Sequence, residues 1–408
     1  MKKMLRFELK KIFSKTVNKI VLLVLLAVLL AASFLTINGV RYVEEDGSVL
    51  TGLSAARKLQ EEENKWKGEL TEEVFEQVLT ENQKINAEAG GIEDMDNQYF
   101  YQKQSFYEIR NLINDALVGY EDYDYYRVDY VPADEKVDVY GSRLSALESL
   151  LETKEMKEGF SEKEKQFLIR QWEKLDTPFY YEYAGGWKAI LEDSQIMQPL
   201  LAIIVIVLGF LVSGIFSDEF QYKADSIFFS SRLGRNKAVL AKIGAGILTG
   251  TMVYWGAVLF YTLIVLMALG FGGGNCPIQI SNWKAMYNLT YFEEFLLVAV
   301  AGYVGSLFIL MIAMFVSAKT RFTVIAITIP FALACAPMFI GRVSIFSRIT
   351  NFLPDMLLRV CVELDQFLIY EIGGRVLGLF TFLIPVYLVL YILGLPMLYH
   401  VYKRVEVK

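Results

Sequence analysis

The sequence predicts an all-α membrane protein: six transmembrane helices, an N-terminal amphipathic interfacial helix, and a mainly helical extracellular insertion between spans 1 and 2. Three observations carry this expectation. Of 408 residues, 54% are hydrophobic and 14% aromatic, and mean hydropathy is +0.35, too apolar for an ordinary soluble domain. Six long apolar runs contain no Asp, Glu, Lys or Arg: 20–37, 196–216, 243–270, 295–316, 322–341 and 376–399. Charge is segregated between them, with 35 acids against 18 bases in residues 40–195 and 11 acids against 22 bases elsewhere.

The elements follow in order. Residues 1–19 place Leu5, Leu9, Ile12 and Phe13 on one helical stripe among seven bases, the pattern of a helix lying on a membrane surface. A cleavable leader shares this basic-then-apolar order, but the apolar run outlasts the ~7–15 residues of a leader core. Residues 40–195 form the insertion, with helices expected over 55–89, 98–118, 142–157 and 161–175, a break at Gly90 and Gly91, and loop from Tyr120 to Pro132. Ser161 with Glu164 has the spacing of a capping box. Spans at 196–216, 243–270, 295–316 and 322–341 follow, with a loop at 217–242. Residues 342–375, split by Pro354, are expected to be two short re-entrant or interfacial helices before the last span, 376–399, and the tail, 400–408. Bases gather in 1–19, 217–242, 317–321 and the tail, so both termini are expected to be cytoplasmic in a multi-pass protein of the bacterial cell membrane.

The same residues exclude several functions. Three cysteines (Cys276, Cys335, Cys361) and one histidine, His400, are too few for a thiolate metal site, a disulfide framework or a histidine-based triad. Whether Cys276 and Cys361 pair is left open by the sequence. Bases scattered at the ends of apolar runs do not make a nucleic-acid surface. No Gly-Lys dipeptide occurs, so no phosphate loop of the G-x-x-x-x-G-K type exists. The chain is expected not to be an enzyme and to carry no cofactor itself.

Two segments invite binding. The loop after span 2 mixes acids, aromatics and bases suited to a protein interface: Asp218, Glu219, Phe220, Tyr222, Asp225, Phe228, Phe229, Ser230, Ser231, Arg232, Gly234 and Arg235. In the insertion, Asp122, Tyr123, Asp124, Tyr125, Tyr126, Asp129 and Tyr130 offer charge and stacking to a cationic or amphipathic cargo. Gly246 with Gly250 and Ala301 with Gly305 are small-residue pairs suited to helix packing, and Gly209, Gly214, Pro330 and Pro337 are candidate bends.

The loop resembles that of ABC-2 type exporter permeases of Gram-positive bacteria, which carry an acid after the second span, a short coupling helix and a Ser-Ser-Arg-x-Gly-Arg stretch, here Ser230, Ser231, Arg232, Gly234 and Arg235. The start Phe7 to Phe13, the Tyr183 to Lys188 approach to span 2 and the paired pieces before the last span are also similar to that family. The resemblance implies a subunit that dimerises with an identical or related permease chain and docks two separate ATPase subunits, which would hold ATP and Mg. It would then export a peptide-like or amphipathic substrate, an antimicrobial peptide among them, by alternating access. The long insertion departs from the family's simplest members. The alternative is a membrane sensor or scaffold whose insertion binds a ligand and whose loop binds a partner.

Overall fold

The computed structural model describes residues 1–88, 101–120, 123–132, 135–193, 196–231, 233–340 and 350–405. It is 75% helical. Among the described residues, five helices are long and apolar enough to cross a membrane, which makes this a multi-pass membrane protein by length and composition. They are α2 (Thr16–Gly39), α10 (Met197–Gln221), α12 (Val239–Leu269), α13 (Tyr291–Thr320) and α16 (Leu379–Lys403). The run expected as a fifth span is the apolar α14 (Thr323–Ile340).

Helix α10 lies at the centre, packed against α13, α14, α12 and α2. Close approach depends on small residues. A Cβ on Gly209 would strike the Pro330 ring, so the α10–α14 contact needs a residue without a side chain, and one on Gly246 at the α12–α13 contact would push the Met314 sulfur aside. Gly250 faces Leu310 of α13, whereas Gly305 faces Leu357 in the Pro354–Leu358 turn. Thr290 and Glu293 close a reciprocal cap on α13, with backbone N–H groups donating at 2.9 and 3.3 Å.

The segment 40–195 folds over the ends of these helices opposite residues 2–19. Its helices are α3 (Leu53–Glu63), α4 (Glu72–Glu88), α5 (Tyr107–Val118), α6 (Val139–Leu151), α7 (Lys154–Gly159), α8 (Glu162–Glu173) and α9 (Gly185–Lys188). The expected helix over 55–89 is broken, because residues 64–71 supply strand β3 (Gly68–Glu69), which pairs with β4 (Tyr180–Tyr181). Strands β1 (Arg41–Val43) and β2 (Val49–Thr51) form a hairpin straight after α2. Ser161 and Glu164 make the expected capping box. The glycine break at 90–91 lies outside the described residues.

Polar anchors seat the segment on the bundle. Arg143, buried against the Trp172 ring, donates to the Trp283 and Ala285 carbonyls at 3.0 and 2.9 Å. Lys163 pairs with Glu371 at 2.6 Å. The pieces expected as two short helices in 342–375 differ in part. Pro354–Leu358 is a 3-10 turn and α15 (Val360–Glu363) one short turn, but β5 (Ile369–Ile372) and β6 (Arg375–Gly378) form a hairpin about Gly373 and Gly374, both at positive φ. The last span therefore begins at Leu379 rather than 376. The three cysteines are free.

Candidate functional site: a buried charge network beneath the loop after span 2

Helix α1 (Lys2–Ser14) ends at an extended Lys15, so it turns away from α2 and packs on α12. Its apolar stripe is seated as the spacing implies, with Ile12 buried and Leu5 and Leu9 partly so. Its charges are not all solvated. Glu8, Lys11 and Lys15 turn toward the last turn of α10 and the first of α12.

The result is three carboxylates interleaved with three ammonium groups. Lys242 is 0% exposed, lies 2.8 Å from Glu219 and 3.5 Å from Glu8, and donates to the Ile215 carbonyl at 2.7 Å. Lys11 lies 2.9 Å from Glu219 and 3.6 Å from Asp218, and Lys15 lies 2.5 Å from Asp218. Burial alone would lower the Lys11 pKa, but Glu219, Asp218 and Glu8 outweigh it and hold the ammonium above its ordinary value. Buried ions persist only when paired and hydrogen-bonded, and here each has a partner of opposite sign.

An aromatic layer closes the network. Tyr402 of α16 is fully buried, its hydroxyl donating to Glu219 at 3.4 Å, and its ring meets Phe216, Phe229, Phe228 and Phe220 at 4.7, 5.2, 6.1 and 6.2 Å. The Arg321 guanidinium lies 4.7 Å over Phe220.

The loop hangs from this platform. Helix α11 (Asp225–Ser230) begins at Asp225 and carries Phe228 and Phe229 inward. A Cβ on Gly234 would collide with the Phe228 carbonyl, so the turn closes only on glycine. Arg235 donates to the Lys403 and Val405 carbonyls at 2.8 and 3.0 Å, with its guanidinium 5.0 Å over Phe229. Ser231 turns its hydroxyl back to the Phe228 carbonyl at 2.8 Å, and Ser230 is exposed. Arg232 lies outside the described residues.

The expected docking set therefore divides. Asp218 and Glu219 are buried, because bases in α1 and α12 draw them inward, and Phe220, Phe228 and Phe229 pack on Tyr402 rather than standing free. Tyr222 remains 72% exposed. Ile227, absent from the expected set, is 75% exposed on the outer face of α11. The network itself was also missed. Its signal was available as the i, i+4 pair Lys11 and Lys15 and the lone Lys242 at the head of an apolar run, facing two acids at the end of another.

The expected cargo patch divides too. Tyr123, Tyr126 and Tyr130 are exposed, while Tyr125 lies under the Arg110 guanidinium at 4.5 Å. Asp124 caps the Tyr126 N–H at 2.9 Å. Asp129 is corrected: it is buried, paired with Arg110 and with Lys103 at 3.1 Å, and accepts from Asn82 at 2.8 Å. Burial opposes its charge, but these donors hold its pKa below the ordinary value. Asp122 lies outside the described residues. Among the described residues no His, Cys, Asp and Glu group is arranged to hold a metal.

A scan against protein-family models, a search of curated proteins and a search of solved structures each found no match.

Proposed function

We propose that this chain is the membrane-spanning permease subunit of an ATP-driven exporter of an amphipathic or peptide-like substrate, working beside a second permease chain in a bacterial plasma membrane, with both termini cytoplasmic. One observation carries the reading. The loop exposes Tyr222, just past the end of α10, and Ile227, on the short helix α11, while its root is locked into α1, α10 and α12 by the buried charge network. A partner pushing on those two side chains would move packed helices rather than a slack loop, which is what converting a partner's motion into a change across the bundle requires. ATP and Mg would belong to the partner.

The test is affinity purification of the full chain from its native membrane. A co-purifying ATPase in roughly equal amount, lost in Tyr222→Glu and Ile227→Glu, supports the proposal. Reversal of Arg235 would be a poor choice, because its hydrogen bonds hold the loop together. A complex that keeps a partner but hydrolyses no nucleotide would overturn the exporter reading in favour of a sensor or scaffold.

A further inference from the structure

A cavity of about 530 Å³ lies where the last turn of α2 meets the 40–195 segment. Its height is set by two helix ends. Gly39 closes α2 and Gly270 caps α12, and the two helices are joined just below by the Thr36 and Tyr261 hydroxyls at 2.8 Å. Spanning helices end where hydrocarbon gives way to headgroups, so the cavity stands at that boundary.

Its walls are of two kinds. Leu35, Leu59 and Ile196 supply an apolar side, and Leu35 is 62% exposed on a helix face that meets lipid, so the cavity opens sideways onto the bilayer. The other side is charged. Lys188 is buried and paired with Glu108, and Glu63 accepts from the Tyr181 hydroxyl at 3.3 Å. Arg41, exposed at the rim in β1, makes no side-chain hydrogen bond or ion pair among the described residues. The cation left without a carboxylate partner is thus a guanidinium, whose planar fork matches a phosphate, and the Glu63 carboxylate shares the wall with it.

We propose that this cavity binds the phosphate-bearing head of a phospholipid from the adjoining leaflet, the phosphate on Arg41 and the chains leaving past Leu35 along α2. A volume of this size suits a headgroup and the first chain carbons, not two whole chains. The site stands independently of any transport role, since nothing in it needs a partner ATPase.

The experiment uses the purified full chain in dodecyl maltoside micelles doped with a phosphatidylethanolamine bearing a diazirine near the start of one chain. Irradiated samples are mapped by peptide mass spectrometry. Labelling should concentrate in residues 35–41, 59–63 and 183–189 and at Ile196, and fall about tenfold or more in Arg41→Glu. It should fall similarly in Gly39→Phe, which places a ring at the mouth, where an added Cβ meets nothing within 4 Å. Unchanged thermal unfolding of the variants keeps the comparison valid. A diazirine glycosyl diacylglycerol, lacking phosphate, should label these peptides poorly. Even labelling along α2 that ignores both variants would overturn the proposal, as would equal labelling by the glycolipid. Loss of labelling on adding inorganic phosphate alone would identify a free-phosphate site instead and overturn the phospholipid assignment.

Discussion

Replacing Lys242 with Met tests whether the buried charges act as one unit. The substitution keeps most of the side-chain stem but removes the ammonium group 2.8 Å from Glu219 and 3.5 Å from Glu8, and deprives the Ile215 carbonyl of a donor. Breaking a buried pair from one side costs about 3–5 kcal/mol. Glu219 keeps Lys11 at 2.9 Å, which places the expected loss at the low end, about 3 kcal/mol. With an unfolding entropy of ~2.1 cal/mol/K per residue spread over the chain, that loss lowers Tm by about 3–4 °C. Circular dichroism of the purified chain in detergent reads it. Adding Glu219→Gln restores charge balance, so the double variant should recover at least half of the loss, about 1.5 kcal/mol, and the coupling is at least that large. A single variant as stable as the parent, or a double variant whose losses simply add, would refute the idea of a mutually dependent network.

Further outcomes follow from three groups outside the spans. Asp129→Ala strands buried Arg110 and Lys103 and should cost about 3–5 kcal/mol at pH 7, read by thermal unfolding. Because the Asp129 pKa is lowered in the fold, its contribution is present above the unfolded carboxylate value and lost as pH falls through the folded one, so the parent and Asp129→Asn should converge in acid. Asp115 behaves oppositely. Burial, only partly offset by Lys284, pushes its pKa up to about 6, so stability falls as pH rises from the ordinary carboxylate value to about 6 and the loss is complete above it. Asp115→Asn should therefore stabilise by about 1–3 kcal/mol at pH 8 and have no effect near pH 4, and equal gains at both would refute the assignment. Arg143→Met leaves the Trp283 carbonyl without its donor, at about 1–3 kcal/mol, and the Ala285 carbonyl with only the longer bond from Gln279 at 3.4 Å, and trypsin should then cut faster after Lys284.

What could be read in the sequence was whatever depends on local chemistry. Long uncharged runs can be solvated only by lipid or by each other, so 295–316 falls within a spanning helix and 196–216 and 243–270 do so but for one end residue each. Ser161 with Glu164 needs only a three-residue spacing to announce a helix start. Long-range partners leave no such mark. Strand β3 exists because Tyr180 and Tyr181 arrive more than a hundred residues later, so a helical composition over 55–89 could not reveal the break. The aromatics of the loop looked exposed because their acceptor, Tyr402, comes from the far end of the chain. Acids at the end of a run also look solvated until Lys11, Lys15 and Lys242 converge on them. Exposure was misjudged wherever a tertiary contact set it.

The two spanning helices that differ most in burial are tied together at this network, and that bears on how each is held. Helix α10 touches protein on nearly every side, so interdigitated packing fixes it. Helix α2 buries only Asn18, Leu25, Leu29, Ala32, Ser33 and Thr36, packs Val21, Leu22, Val28 and Ile37 partly against the core, and leaves much of its remaining apolar surface exposed. An apolar helix gains little by exchanging lipid for equally apolar protein, so packing alone holds it weakly. Polar contacts at its two ends must then carry much of the specificity. At one end Lys15 and Asn18 reach Asp218 and the Ile12 carbonyl at 2.5 and 2.8 Å, and at the other Thr36 meets Tyr261 at 2.8 Å. Helix α2 is thus positioned as a strut pinned at both ends, and the pins sit beside the two places where binding is proposed: the charge network under the loop and the cavity at Arg41.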